Sequence, residues 1–423
     1  MELLNLKELS LGDLEKIRLR GIRGMEEAIE RVKPIIADVR ARGDEALRLY
    51  EEKFTGVQSS YEIKVSEEEV EEAYGLVDKG FLEALRSSIA IVKRYHESCT
   101  PKPWVVEVAE GVRAGVIPRP VDRAGLYIPG GRAPYPSTVV MLAIPALTAG
   151  VKRVIACTPP SRGGRVNPYI LVALSECGVK EVYRAGGAQA IAAMAYGTQT
   201  VPRVDVIAGP GNVYVTAAKL LVSSVVGIDV LAGPSELLVV ADESAEPSLV
   251  AIDLASQAEH DPLSQIALAT TSRELAERVI EELKPIASEN WVVREVLEKS
   301  FIVALGDVDD VVEFANTYAP EHLQLLVSRP EDYVGRIRSA GALLVGPWTP
   351  TALSDYCAGP SHVLPTGGQA AFRSGVSTST FMKFIHYVEA YRTNEELLRA
   401  AVKLAEAEGF KLHAEALRRR LKR

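Results

Sequence analysis

The chain has 423 residues, of which 47% are hydrophobic and 25% are charged, as is typical of a soluble globular protein. This length predicts two or more domains, because a single hydrophobic core does not usually grow so large. The formal net charge is −8 and the basic residues are scattered, which argues against nucleic acid or a membrane surface as the main partner.

Targeting and disulfide signals are lacking. The segment MELLNLKELS carries acids early and has no basic region followed by an apolar stretch, so we expect no signal peptide. The most apolar segment, TVVMLAIPALTAGV from Thr138, is too short to cross a bilayer and contains Pro145. Four cysteines without CxxC spacing predict reduced, mostly buried thiols. We therefore expect a cytoplasmic protein.

The first half of the chain changes from helical patterns to strand patterns. Apolar residues recur every three or four positions from Met25 to Phe54, and a second helical stretch covers residues 67–95. Short strands and turns are predicted for VVEVAEGVRAGVIPRPVDRAGLYIPGG. The runs VKRVIACTPP, KEVYRAGG and VDVIAGPGN then alternate with helical segments, which predicts βαβ units and a parallel sheet.

A second series of strands begins at ELLVVADESA and continues through SQIALATTS, SFIVALGD and ALLVGP. Two such series predict an α/β fold with two doubly wound, Rossmann-like domains on parallel sheets, with small helical pieces at both ends. The expected domains are an N-terminal helical piece (1–22), a first α/β domain (23–126 and 237–377), a second α/β domain (127–236) and a C-terminal helical tail (378–423).

Glycine-rich turns are the first candidates for ligand binding, because ligands of such sheets collect beyond the carboxyl ends of the strands. The turns are YIPGG, AGGAQA, AGPGN and AGPSE, and none is a GxGxxG fingerprint. Gly209-Pro210-Gly211 lies between a predicted strand and a helix, so its backbone could approach a phosphate at the helix N-terminus. A turn that needs glycine for its shape alone is the alternative.

Two histidine-containing segments could bind a metal or a substrate. SQAEHDP places Gln257 and His260 three positions apart at the end of a helix that Pro262 stops, so both side chains could reach one metal ion. A histidine that simply benefits from the helix C-terminus is the alternative. SDYCAGPSH places Asp355 and His362 in a loop after a strand, where a functional pair and a solvated turn both fit.

The segment APEHLQL joins a carboxylate and an imidazole directly after Pro320. Because proline suits the first turn of a helix, we expect Glu321 and His322 in that turn, with side chains about 100° apart. The positive helix end would favour an ionised glutamate and a neutral histidine, as two general bases require; an acid that decorates a helix start is the alternative. In EGFKLH, Glu408 and His413 form a pair that is usually a surface feature.

Together and in this order, several motifs resemble the histidinol dehydrogenase family over nearly the whole chain: DVRARGDEAL, LYIPGG, AGGAQAIAAMAYGT, AGPGN, AGPSE, SQAEHDP, APEHLQL, SDYCAGPSHVLPT and EGFKLH. The resemblance implies oxidation of L-histidinol to L-histidine through histidinaldehyde, with two NAD and one Zn²⁺ per active site. It also implies a homodimer in which the C-terminal tail of one subunit reaches the active site of the other.

The resemblance also assigns residues to roles. Glu321 would activate water for the aldehyde step, and His322 would remove a proton in both oxidations. The remaining assignments are zinc ligands Gln257, His260, Asp355 and His413; further substrate contacts Ser235, His322, His362 and Glu408, in addition to the zinc ligands; and NAD contacts Tyr127, Gln189 and Asn212.

Two other activities fit parts of the sequence. An aldehyde dehydrogenase would need a nucleophilic thiol, and Cys357 lies close to Asp355 in the chain. No cysteine has an evident electropositive turn with a base partner, so we do not expect this chemistry. A zinc hydrolase would use Glu321 to activate metal-bound water and would need no redox cofactor.

Overall fold

The computed structural model describes residues 2–8, 17, 24–58, 60–130, 134–231 and 233–421. It divides into two compact units, which are Met1–Cys99 with Val121–Phe381, and Thr100–Pro120 with Met382–Arg423. Two parallel sheets belong to the first unit and one antiparallel sheet to the second. Within the described residues, no helix is long and apolar enough to cross a membrane.

The described elements are numbered in chain order. The strands are β1 (Glu2–Asn5), β2 (Trp104–Ala109), β3 (Val112–Pro120), β4 (Arg123–Tyr127), β5 (Arg153–Thr158), β6 (Glu181–Arg184), β7 (Val206–Ala208), β8 (Gly227–Ile228), β9 (Glu236–Ala241), β10 (Gln265–Thr270), β11 (Phe301–Leu305), β12 (His322–Leu326), β13 (Ala342–Val345) and β14 (Met382–Ala390). The α-helices are α1 (Met25–Arg42), α2 (Asp44–Thr55), α3 (Glu67–Tyr74), α4 (Lys79–Cys99), α5 (Pro136–Thr148), α6 (Pro168–Glu176), α7 (Gly187–Tyr196), α8 (Val213–Val222), α9 (Pro247–Ala258), α10 (Arg273–Glu289), α11 (Trp291–Lys299), α12 (Val308–Tyr318), α13 (Glu331–Val334), α14 (Thr351–Cys357), α15 (Glu395–Ala407) and α16 (Lys411–Leu421). Short 3₁₀ helices span Leu6–Glu8, Gln369–Ala371 and Thr378–Phe381.

The first parallel sheet has the strand order β6-β5-β4-β7-β8. Its strands are short and mostly buried, as expected for a sheet covered by helices on both faces. Val32 of α1 and Leu47 of α2 share a hydrophobic core with Ile155 of β5. The packing therefore differs from the expected assignment of residues 23–126 to the other α/β domain, because periodicity identifies an apolar face but not the sheet it covers.

The second parallel sheet has the order β1-β11-β10-β9-β12-β13, so the expected α/β class with parallel sheets is confirmed. Glu2–Asn5 is an edge strand that pairs with β11, which contradicts the helical piece expected at residues 1–22 for these positions. The strand forms because it pairs with a strand about 300 residues away, and the sequence of these four residues alone does not reveal that pairing. Residues 1, 9–16 and 18–22 of that piece lie outside the described residues.

The helix expected to begin at Pro320 is a strand, so that prediction is wrong. Helix α12 ends at Tyr318, Ala319 takes a left-handed conformation with φ of 46°, and Pro320 follows the helix instead of opening one. His322 begins β12, which lies between β9 and β13 with all five residues buried. A short apolar run of this kind fits a helix or a buried strand equally well by sequence alone.

The second unit contains the antiparallel sheet β14-β3-β2 and the helix pair α15 and α16. The two helices pack through Val402, Ala405, Ala414 and Leu417. The expected helical tail from residue 378 therefore includes a nine-residue strand, β14. The strand is stabilised by pairing with β3, which the local sequence does not reveal.

Candidate active site

A cleft of about 1600 Å³ in the first unit is lined by segments from both parallel sheets. The first sheet contributes Pro129 and Gly130 after β4, and Pro210–Asn212 after β7, as expected for the carboxyl ends of strands. The second sheet contributes Ser235 before β9 and Glu321 before β12. This half of the cleft thus lies at the amino ends of its strands, and AGPSE precedes a strand instead of following one.

Glu321 and His322 are held together by the backbone of Glu236, the first residue of β9. The Glu236 N–H donates to Glu321 Oε2 at 2.8 Å, and His322 Nδ1 lies 3.3 Å from the Glu236 carbonyl oxygen. Glu321 is 7% exposed and His322 is 2% exposed, and His322 Nδ1 is 3.7 Å from Glu321 Oε2. A carbonyl partner at Nδ1 assigns the ring proton to that atom and leaves Nε2 as a proton acceptor.

Burial raises the pKa of Glu321 to about 8, because a carboxylate is poorly solvated there. Burial alone would lower the pKa of His322, but the Glu321 and Asp355 carboxylates outweigh it and raise this pKa. Both groups therefore hold their protons near neutral pH, and their deprotonated forms, which are the bases, become more populated as the pH rises. The expected helix dipole is absent because no helix begins here, so burial and neighbouring carboxylates set the protonation of both groups.

Asp355 and His362 complete this side of the cleft. Asp355 Oδ1 lies 3.3 Å from His322 Nε2, and the Asp355 carbonyl oxygen accepts from His362 Nδ1 at 2.9 Å. Burial would raise the pKa of Asp355, but the interaction with His322 holds it below its ordinary value. Burial lowers the pKa of His362, whose Nε2 is 3.1 Å from Thr138 Oγ1.

Three of the four expected zinc ligands line the same cleft, namely Gln257 and His260 at the end of α9 and Asp355 in α14. The fourth, His413, lies in α16 of the second unit and is exposed, and the expected substrate contact Glu408 is exposed at the end of α15. Within the described part of the chain, no three His, Cys, Asp or Glu side chains are grouped to hold a metal ion.

The chemistry of these residues nevertheless fits a cation. Asp355 Oδ1 and His322 Nε2 are buried 3.3 Å apart, and neither atom makes a well-formed hydrogen bond within the described residues. An unpartnered buried carboxylate oxygen is costly unless a donor or a cation completes it. Imidazole nitrogen and carboxylate oxygen are ordinary Zn²⁺ ligands, whereas the Gln257 amide is an unusual one. The residue types on this side of the cleft are therefore compatible with a bound cation.

The three expected NAD contacts are not equally placed. Asn212 lines the cleft and caps α8, since its Oδ1 accepts from the N–H groups of Tyr214 and Val215. Tyr127 and Gln189 are buried and are not among the described residues that line the cleft. The Tyr127 hydroxyl accepts from the Gly187 N–H at 3.0 Å.

Gln189 is bound to Glu51, a residue that sequence reasoning does not single out. The Gln189 Nε2 donates to Glu51 Oε1 at 2.7 Å, and the Gly186 N–H donates to the same oxygen at 2.6 Å. Glu51 thus places a carboxylate of the chain itself at the N-terminus of α7, where a phosphate would otherwise be favoured. Periodicity treats an acid in an amphipathic helix as solvent-facing, so only its burial reveals this role.

The cysteines do not form part of the cleft wall described here. Cys157 and Cys177 are buried and Cys99 is exposed. Cys357 ends α14 with partial exposure and is not among the described residues that line the cleft. The expectation that the thiols are mostly buried therefore holds for two of the four.

Comparisons with known proteins identify the same family that the sequence motifs resemble. The family model described as histidinol dehydrogenase matches residues 19–421. Histidinol dehydrogenase of Methanothermobacter thermautotrophicus is 44% identical over 99% of this chain and 100% of that protein, and the enzyme of Methanocaldococcus jannaschii is 42% identical over 99% and 98%. A crystal structure of histidinol dehydrogenase from Elizabethkingia anophelis, 36% identical, has a TM-score of 0.94 and covers 100% of this chain and 98% of that chain. The chain therefore belongs to the histidinol dehydrogenase family of oxidoreductases.

Proposed function

We propose that this protein oxidises L-histidinol to L-histidine through histidinaldehyde and reduces two NAD in the process. The observation that carries the proposal is the pair Glu321 and His322, fixed side by side at the start of β12 and facing a cleft. Alcohol oxidation needs a base on the hydroxyl group, and aldehyde oxidation needs a base on water. Two adjacent bases at one carbon serve both steps.

His322 is the proposed base of both oxidations. Its Nδ1 proton faces the Glu236 carbonyl oxygen, which fixes the ring and leaves Nε2 to accept the hydroxyl proton of the substrate. As this proton is removed, the carbon can release a hydride, which NAD accepts. After the aldehyde is hydrated, His322 would accept a hydroxyl proton of the hydrate in the same way, and loss of a second hydride gives the acid.

Glu321 is the proposed base for the hydration between the two oxidations. One carboxylate oxygen accepts from the Glu236 N–H, and the other would take a proton from water as the water oxygen bonds to the aldehyde carbon. The C=O π bond opens in the same step, and the carbonyl oxygen takes the proton that His322 gained in the first oxidation, which makes His322 a base again. Burial makes this carboxylate a stronger base than an exposed glutamate once it is ionised. Hydration therefore adds the oxygen that distinguishes histidine from histidinal.

We infer one Zn²⁺ per subunit, bound by Gln257, His260 and Asp355 together with His413 of the partner subunit in a homodimer. When bound, zinc would hold the imidazole and amine nitrogens of the substrate and so orient the alcohol carbon. Support comes from the buried Asp355 Oδ1, which makes no hydrogen bond within the described residues, and from the placement of three of these residues on one cleft. Ser235 and His362 of the cleft, with Glu408 of the partner subunit, would contact the substrate.

The remaining assignments are proposals of the same kind. Asn212 is the NAD contact best supported, because it lines the cleft. Contacts by Tyr127 and Gln189 rest on the resemblance of their motifs to the family. We also propose a cytoplasmic location and a homodimer with shared active sites.

The decisive experiment measures NADH formed per histidinol consumed, together with the metal content of the protein. We expect two NADH per histidinol, histidine as the product, and loss of turnover after chelation that added Zn²⁺ restores. A yield of one NADH with accumulated aldehyde, or product formation without NADH, would contradict the four-electron reaction. Full activity in a metal-free preparation would contradict the zinc assignment alone.

A further inference from the structure

A buried ion pair lies behind the loop that follows β7. Lys219 of α8 is 2% exposed, and the Asp229 side chain after β8 is fully buried. The two form an ion pair, and Lys219 Nζ also donates to the Val230 carbonyl oxygen at 2.7 Å. Removing both charges from water is costly, and a well-packed apolar pair is often at least as stable, so stability alone is a weak explanation.

The pair binds both polar groups of a single residue, Gly209. Asp229 Oδ2 accepts from the Gly209 N–H at 2.7 Å, and Lys219 Nζ donates to the Gly209 carbonyl oxygen at 3.0 Å. Gly209 has φ of 140°, and an added Cβ would lie 2.0 Å from the carbonyl oxygen of Tyr127. The residue is thus held by the ion pair and confined by the backbone of β4, so its conformation is fixed.

The residues that follow Gly209 form one wall of the cleft. Pro210, Gly211 and Asn212 line it, whereas Lys219 and Asp229 are not among the described residues that do. The pair therefore acts on this wall through Gly209, and it also binds Val230, which precedes the cleft residue Leu231. Because Asn212 also caps the N-terminus of α8, a shift at Gly209 would move the capping residue and the loop together.

We propose that Lys219 and Asp229 are positioning residues for NAD: they fix Gly209, so that Pro210–Asn212 already have their binding conformation before the dinucleotide arrives. The inference rests on the proposed use of NAD. A loop ordered in advance loses less conformational freedom on binding, and this lowers the dissociation constant. Glu321, His322 and Gln257 come from segments of the other sheet, so the pair should affect NAD binding far more than histidinol binding.

The test compares Lys219→Met, Asp229→Asn and the double variant Lys219→Met/Asp229→Leu with the full-length wild-type enzyme. We expect the KM and the dissociation constant for NAD to rise about tenfold or more, as when buried hydrogen bonds that order a site are lost. The KM for histidinol should stay within about twofold, the margin expected of sites that do not share contacts. The double variant matters because an apolar pair often preserves folding.

Asp44→Asn is the matched control, since Asp44 is a buried carboxylate that accepts from the N–H and hydroxyl groups of Thr200, away from the cleft. It should lower the melting temperature and leave the KM for NAD unchanged. A folded double variant with wild-type NAD affinity would overturn the proposal, as would equal rises in both KM values. If the wild-type enzyme neither binds NAD nor reduces it with histidinol, the proposed function itself fails.

Discussion

Replacing His322 by asparagine should remove the proposed base while keeping the hydrogen bond that orients it. The asparagine amide nitrogen stands close to the position of imidazole Nδ1 and can still donate to the Glu236 carbonyl oxygen, which is 3.3 Å from Nδ1. Nε2, the proposed proton acceptor, has no counterpart in asparagine. The substitution therefore separates catalysis from positioning better than alanine does.

The substitution should have two effects, one on the catalytic rate and one on the stability of the fold. A positioned general base contributes about 10²–10⁴-fold in rate, which corresponds to about 3–5 kcal/mol at about 1.36 kcal/mol per decade. His322 is almost fully buried, so the smaller side chain should also reduce the free energy of unfolding by about 1–3 kcal/mol. The second effect lowers the folded fraction at high temperature, whereas the first lowers kcat of the folded enzyme.

The assay follows NADH formation with histidinol and with histidinaldehyde supplied separately, at a temperature where thermal unfolding shows the variant to be folded. We expect kcat to fall at least about hundredfold for both substrates. His96→Asn is the control, because His96 is a buried histidine of the same unit that does not line the cleft; its kcat should be unchanged. Loss of only one oxidation, or a fall below about tenfold in both, would refute the single-base assignment.

Three further results are expected. Glu321→Gln keeps an acceptor for the Glu236 N–H and should slow histidinaldehyde oxidation more than histidinol oxidation; equal losses would remove its water-activating role. Asp355→Asn should weaken Zn²⁺ binding by at least about tenfold in competition with a chelator, and unchanged affinity would exclude Asp355 as a ligand. Burial lowers the pKa of His96 to about 4 from 6.5, so between these pH values the unfolded chain takes up a proton that the folded chain excludes. The free energy of unfolding should therefore decrease by up to about 3 kcal/mol as the pH is lowered from 6.5 to about 4. Thermal melts of His96→Asn should show a smaller decrease over the same pH range.

The sequence predicts the first parallel sheet well because β5, β6 and β7 each end at Gly or Pro and a helix follows. β5, β6 and β7 can therefore be recognised as parts of βαβ units from residue order alone. β1, β12 and β14 were not predicted as strands, because each depends on a partner far away in the chain: β11, β9 and β3, respectively. Local propensity is a weak guide where tertiary pairing decides.

The candidate site shows a similar division. Gln257, His260, Glu321, His322 and Asp355 could be found because their residue types and motif order are distinctive, and the structure brings them to one cleft. The residues that hold the site in place could not be found in this way. Glu51, Lys219 and Asp229 are charged side chains, which sequence patterns assign to the surface, and only their burial and their partners show what they do.

The position of the two bases on a strand has a physical advantage over the helix start that was expected. Successive residues of a strand point to opposite faces, so two neighbours within β12 would not share one site. Glu321 precedes the strand, after the left-handed turn at Ala319, and His322 is its first residue. Glu236 of the adjacent strand then contacts both side chains, with its N–H directed at Glu321 and its carbonyl oxygen at His322. Because β9 and β12 are fully buried and paired along their length, we expect local opening to be rare where the bases are attached.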